Sequence, residues 1–83
     1  MTEFYRFLHR GHCKNGHVCN TGNCNTVEAT LMDCRNRCER LGKHIGYFAY
    51  VPGSICACYT KCEHDGIYQD VVFESFQIVR EGK

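Results

Sequence analysis

The sequence predicts an α+β fold: a small disulfide-rich domain with one helix packed on an antiparallel β-sheet of three to five strands. Three observations predict it. Eight of the 83 residues are cysteine, about one in ten, the density of a disulfide scaffold. Residues 26–41 place apolar and cysteine side chains at helical spacing, and residues 45–59 form two β-rich runs around Pro52-Gly53.

A chain this short buries only about 60–65% of its unfolded surface, so cross-links are the expected supplement to a thin core. The even number of cysteines, all between Cys13 and Cys62, fits a disulfide framework and an oxidising compartment. The whole chain, residues 1–83, reads as one domain, with the helix-plus-hairpin core in residues 25–62. Ten basic against nine acidic residues give a formal charge of +1. That balance is too weak for nucleic-acid or membrane attraction to dominate, and no basic run exceeds two residues. No apolar stretch is long enough to span a bilayer, so no membrane insertion is expected. Residues 1–10 (MTEFYRFLHR) carry charge and lack an apolar h-region. They do not read as a signal peptide, and secretion would require a leader already removed.

Along the chain, residues 4–8 form an aromatic stretch suited to an edge strand. Residues 11–25 (GHCKNGHVCNTGNCN) have few apolar side chains and read as a loop that disulfides must hold. Asn25, with Glu28 three residues later, has the form of a capping box. Val27, Leu31, Cys34, Cys38 and Leu41 then recur at intervals of four, three, four and three, on one helical face. Asp33, Arg37 and Arg40 lie on the other, solvated face. Gly42 suits the left-handed position that ends a helix. The reading is a helix over residues 26–41.

Residues 45–51 (IGYFAYV) and 55–59 (ICACY) form a hairpin candidate. A two-residue Pro52-Gly53 turn sets Ala49 opposite Cys56 and Tyr47 opposite Cys58. A trans Pro-Gly turn of type II fits hairpin twist poorly, which leaves the register open. A loop over residues 62–68 precedes a final strand over residues 71–79 (VVFESFQIV), and residues 80–83 read as frayed.

The cysteine geometry carries the argument. Cys34 and Cys38 are one helical turn apart, and Cys56 and Cys58 are about 7 Å apart on one side of a strand. A helix laid on that strand sets two sulfurs against two. Bridges Cys34–Cys56 and Cys38–Cys58, or the crossed pairs, then form without bending either element. Each closes a loop of about 20 residues, worth roughly 3 kcal/mol in the chain-entropy model. Cys13, Cys19, Cys24 and Cys62 have three possible pairings, each of which brings Cys62 back to the residue 11–25 segment.

Zinc coordination is the competing use of the cysteines. No C-x₂-C spacing occurs. Cys56, Cys58, Cys62 and His64 have a metal-like composition, but C-x-C on a strand lacks the tight turn of a zinc knuckle. No metal or other cofactor is expected. Phe48, Tyr50 and Tyr59 are assigned to the sheet face opposite the helix, as an aromatic platform for a partner or as a surface covered by a terminal strand. Five histidines, His9, His12, His17, His44 and His64, are candidates for metal or pH sensing and otherwise read as exposed loop side chains. No catalytic set of nucleophile and base is evident, so the chain does not read as an enzyme.

The region from Asp33 to Cys62 resembles the core of PAN/apple modules. It has a helix with C-x₃-C, a strand ending F-x-Y (Phe48, Ala49, Tyr50) and a cysteine-bearing strand. The stretch Phe73-x-x-Phe76-x-Ile78 is similar to the closing strand of such modules, and Gly11-x-Cys13 also fits. The chain departs from the family at Ile45, where a cysteine is usual. The resemblance implies a secreted, non-enzymatic module of adhesion type, with a protein or carbohydrate partner. Cys34-x₃-Cys38 with Cys56-x-Cys58 is also similar to the cystine-stabilised αβ family of defensins and channel toxins. The extension after Cys62 and the near-neutral charge count against that second family.

Overall fold

The computed structural model describes residues 4–18, 25–63 and 73–80. The order of elements is β1 (Tyr5–Arg10), β2 (Asn25–Thr26), α1 (Leu31–Arg40), β3 (Tyr47–Val51), β4 (Ile55–Tyr59) and β5 (Glu74–Ile78). The strands form one five-stranded sheet in the order β1-β5-β3-β4-β2. Every pairing is antiparallel. The helix packs across β3 and β4, as an α+β arrangement requires. No helix among the described residues is long and apolar enough to cross a membrane.

The helix is shorter at its start than residues 26–41. Asn25 and Thr26 pair with Ala57 and Cys56 of β4, and Thr26 Oγ1 donates to Glu28 Oε2 at 2.7 Å. The residues of the expected capping box are therefore engaged in the sheet and its exit. Thr30 is the actual N-cap, with extended backbone and a side chain accepting from the Asp33 N–H at 3.1 Å. Val27, expected in the core, is 69% exposed, whereas Cys34 and Cys38 are fully buried. Arg37 is not solvated as expected, because Nη1 donates to Cys56 O at 3.1 Å. Gly42 has φ +146, which favours glycine; a Cβ there would lie 2.7 Å from the exposed His44 ring, which can move aside.

The hairpin departs from the two-residue reading by one position. Ser54 N donates to Val51 O at 3.0 Å, and Gly53 has φ +68, so Pro52-Gly53 form the centre of a type II turn. Ser54 becomes a third loop residue, and Val51 pairs with Ile55. Ala49 consequently faces Ala57, while Phe48 faces Cys58 and Tyr50 faces Cys56. A one-residue change in register exchanges the faces of the whole strand.

Both faces of the sheet carry buried clusters. Beneath the helix, Phe48, Tyr50, Phe76 and Ile78 surround the sulfurs of Cys34, Cys38, Cys56 and Cys58. Phe48 stacks on Phe76 with ring centroids 5.2 Å apart, and Tyr5 meets both edge-on. On the other face, Ala49, Ala57, Cys13 and Tyr59 form a smaller cluster. A bulge in β1 connects the two faces. Phe7 pairs with Phe76, but His9 pairs with Ser75, because Leu8 is the extra residue. His9 therefore turns to the helix-free face, and its Nε2 lies 3.5 Å from Cys62 Sγ. The final strand begins at Glu74; residues 71 and 72 lie outside the described residues. Arg80 is not frayed, since Nη2 donates to Gly42 O at 3.0 Å.

Three disulfides lie among the described residues: Cys34–Cys56, Cys38–Cys58 and Cys13–Cys62. The first two are the parallel rather than the crossed pairs. The third ties Cys62 back to the N-terminal loop. Cys19, Cys24 and His64 lie outside the described residues.

Candidate functional site

Of the three aromatic residues assigned to the helix-free face, the structure places only Tyr59 there. Phe48 and Tyr50 point beneath the helix, 0% and 4% exposed, and Tyr50 O–H donates to Glu28 O at 2.9 Å. The three-residue hairpin loop is the reason for the exchange. No shared platform exists.

What surrounds Tyr59 is a groove of about 450 Å³. Its floor is Ala57, a small side chain on a strand whose neighbours leave room above it. Its walls are built by the loop of residues 11–18, which runs back along β4. Val18 N donates to Cys58 O at 2.9 Å, and Thr60 N donates to Gly16 O at 2.9 Å. Gly16 permits the close approach. Its φ is +85, and a Cβ would lie 2.8 Å from Lys61 N. The Cys13–Cys62 bridge clamps the same loop from its other end. Ser75, wholly buried, donates from Oγ to Gly11 O. Lys14 N donates to Glu63 O at 2.9 Å, and Asn15 Nδ2 donates to Glu63 Oε1 at 2.7 Å.

These restraints set four rings and two polar groups around the floor. The His17 ring lies 5.2 Å from the Tyr59 ring, and His17 Nε2 is hydrogen-bonded to Asn25 Oδ1 at 3.0 Å. The His12 ring meets the edge of Phe73 at 5.6 Å. Lys14 is exposed at the groove and supplies its cation. Burial pushes the Tyr59 phenol above its ordinary value of 10.0, so it holds its proton at neutral pH. The chemistry on offer is ring stacking, hydrogen bonding and one positive charge, which suits binding. From the sequence, His12 and His17 are candidates for metal or pH sensing or else exposed loop side chains, Asn25 is a helix-cap candidate, Phe73 belongs to a closing-strand motif, and Lys14 carries no assignment. The density of His, Asn and Gly between Gly11 and Asn25 was the available signal.

The sulfurs of Cys34, Cys38 and Cys56 lie within 4.8 Å of one another. That closeness follows from the two bridges beneath the helix, and a disulfide sulfur is not a thiolate ligand. Cys58 and Cys62, named in the zinc alternative, are likewise bonded to other cysteines. No cysteine among the described residues is free.

Comparison with protein-family models, curated proteins and solved structures gives no match for the chain.

Proposed function

We propose that this protein is a secreted, non-enzymatic recognition module that binds a protein or carbohydrate partner in the groove at Tyr59. The observation that carries the reading is the construction of that groove. A loop poor in apolar residues is fastened to the sheet by a disulfide and backbone hydrogen bonds, and it presents His17 and Lys14 beside Tyr59 and the β2 residue Asn25. Such fastening reduces the ordering cost of binding. The PAN/apple resemblance supports the same assignment, and so do the disulfides, which persist in extracellular compartments.

The two parallel bridges from helix to strand also satisfy the pattern of defensins and channel toxins. That alternative and the zinc-module alternative make different predictions. The test is a screen of glycans and extracellular proteins with wild type, Tyr59→Ala and Lys14→Ala. The proposal expects a partner whose binding falls in both variants. Channel block or vesicle leakage with no partner retained would replace it with the toxin reading. Loss of folding on chelation, with no response to reductant, would replace it with the zinc reading.

A further inference from the structure

A second cavity lies on the other side of the molecule, where the end of α1 meets the start of β1 and the end of β5. It measures about 610 Å³ and is lined by Phe4, Arg35, Glu39, Arg40, Lys43 and Arg80. Among the described residues, four cations thus face one carboxylate in a chain whose net charge is only +1. Two of the cations are fixed in place. Arg35, 5% exposed, donates from Nε to Phe4 O at 3.0 Å and from Nη2 to Val79 O at 2.8 Å. Its Nη1 donates to Glu39 Oε1 at 2.7 Å, which engages the cavity's carboxylate. Arg80 is held by Gly42 O.

The other two have no such role. Arg40 and Lys43 are exposed and make no hydrogen bond or ion pair among the described residues. Part of the positive charge suits the negative end of the helix dipole. That suits Arg40 in the last turn and Arg80, which donates to Gly42 O just past the helix end, but it gives Arg40 and Lys43 no hydrogen-bonding partner among the described residues. Phe4, 43% exposed, adds an apolar wall and stacks over Arg35, with the guanidinium carbon 5.7 Å from the ring centroid.

We infer that this cavity binds a small polyanion carrying two or more sulfate or phosphate ester groups. A tetrahedral oxyanion spreads charge over several oxygens, so one group can meet more than one cation at once. A single carboxylate would leave most of the four cations unmatched, and the volume lies in the range of small-ligand sites. Arg35 and Arg80 set a fixed positive field, and Arg40 and Lys43 close on the ligand. The site is separate from the Tyr59 groove and does not rest on the proposal made for it.

The test is calorimetric titration of the oxidised protein with sucrose octasulfate and with inositol hexakisphosphate. The variant Arg40→Gln/Lys43→Gln removes two exposed charges and leaves the fixed pair intact; Lys14→Gln/Lys61→Gln removes two charges elsewhere. The inference expects the first variant to weaken binding about tenfold and the second to leave it nearly unchanged. It also expects the salt dependence of log Kd to flatten by about two counterions in the first variant alone. The tighter of the two probes identifies the source as a sulfate or a phosphate ester. No binding of either probe, or equal losses in both double variants, would overturn the inference. The titration uses no ligand of the Tyr59 groove, so its result is independent of the partner screen.

Discussion

The two faces of the sheet are sealed in different ways. Beneath the helix, two disulfides cross between α1 and β4 through a layer of stacked aromatic rings, and the sulfurs are fully buried. On the other face a loop takes the place of a helix. Among the described residues, one disulfide and a series of backbone hydrogen bonds hold it, and a groove lined by polar and ring side chains remains open. Apolar burial and covalent links thus act together on one side, whereas the link on the other fixes a loop over a smaller buried cluster. A small domain can keep a polar groove because its stability is concentrated on the opposite face.

The largest expected effect breaks the helix side. Replacing Cys34, Cys38, Cys56 and Cys58 with alanine removes two loops worth about 3 kcal/mol each in the chain-entropy model. Their sum is comparable to the whole stability of a small domain, about 5–15 kcal/mol. Circular dichroism should show loss of cooperative unfolding, while the Cys13→Ala/Cys62→Ala variant should keep α1 folded at low temperature. Phe48→Ala comes next. The side chain is wholly buried, and its loss should cost about 3–5 kcal/mol in urea unfolding. Phe73→Ala on the groove side should cost less than half as much, since Phe73 is only half-buried. Equal costs would show that the two faces contribute alike.

Smaller effects sharpen the contrast at the helix start and at Tyr59. Thr30→Ala should destabilise by about 1 kcal/mol, because the N-cap bond to Asp33 is lost. Asn25→Ala should change stability by less than about 0.5 kcal/mol, as an exposed substitution outside the helix. The reverse order would restore the capping box at Asn25. The smallest effect is in alkaline solution. Because burial raises the Tyr59 phenol, the unfolded chain gives up that proton first. This contribution is complete below the ordinary value of 10.0 and is lost as pH rises through the native value. Tyr59→Phe should therefore show a shallower fall in urea midpoint between about pH 9 and about pH 11.

Much of the helix side was legible because its signals are local. C-x₃-C on a helix and C-x-C on a strand each define a face without reference to anything distant, and their bridges follow from matching the two. Gly42 announced the end of the helix for the same reason. The start is ambiguous in the sequence because Asn25-Thr26-Val27-Glu28 and Thr30-Leu31-Met32-Asp33 both carry an N-cap pattern. Strand pairing with β4 engages the first and leaves the second to cap. The groove was less legible, since Tyr59, His17 and Phe73 are brought together from three separate stretches of chain.

By itself, the sequence determined the class of fold, the helix face that carries Cys34 and Cys38, and the need for cross-links in so short a chain. Tertiary structure decided which face Phe48 and Tyr50 occupy, where the helix begins, and that His9 turns toward Cys62. Alternation along a strand states that neighbouring side chains oppose one another, but not which of them points inward. That choice rests on the length of the hairpin loop, the bulge at Leu8 and the partners of each strand, all of which are settled only when distant segments meet.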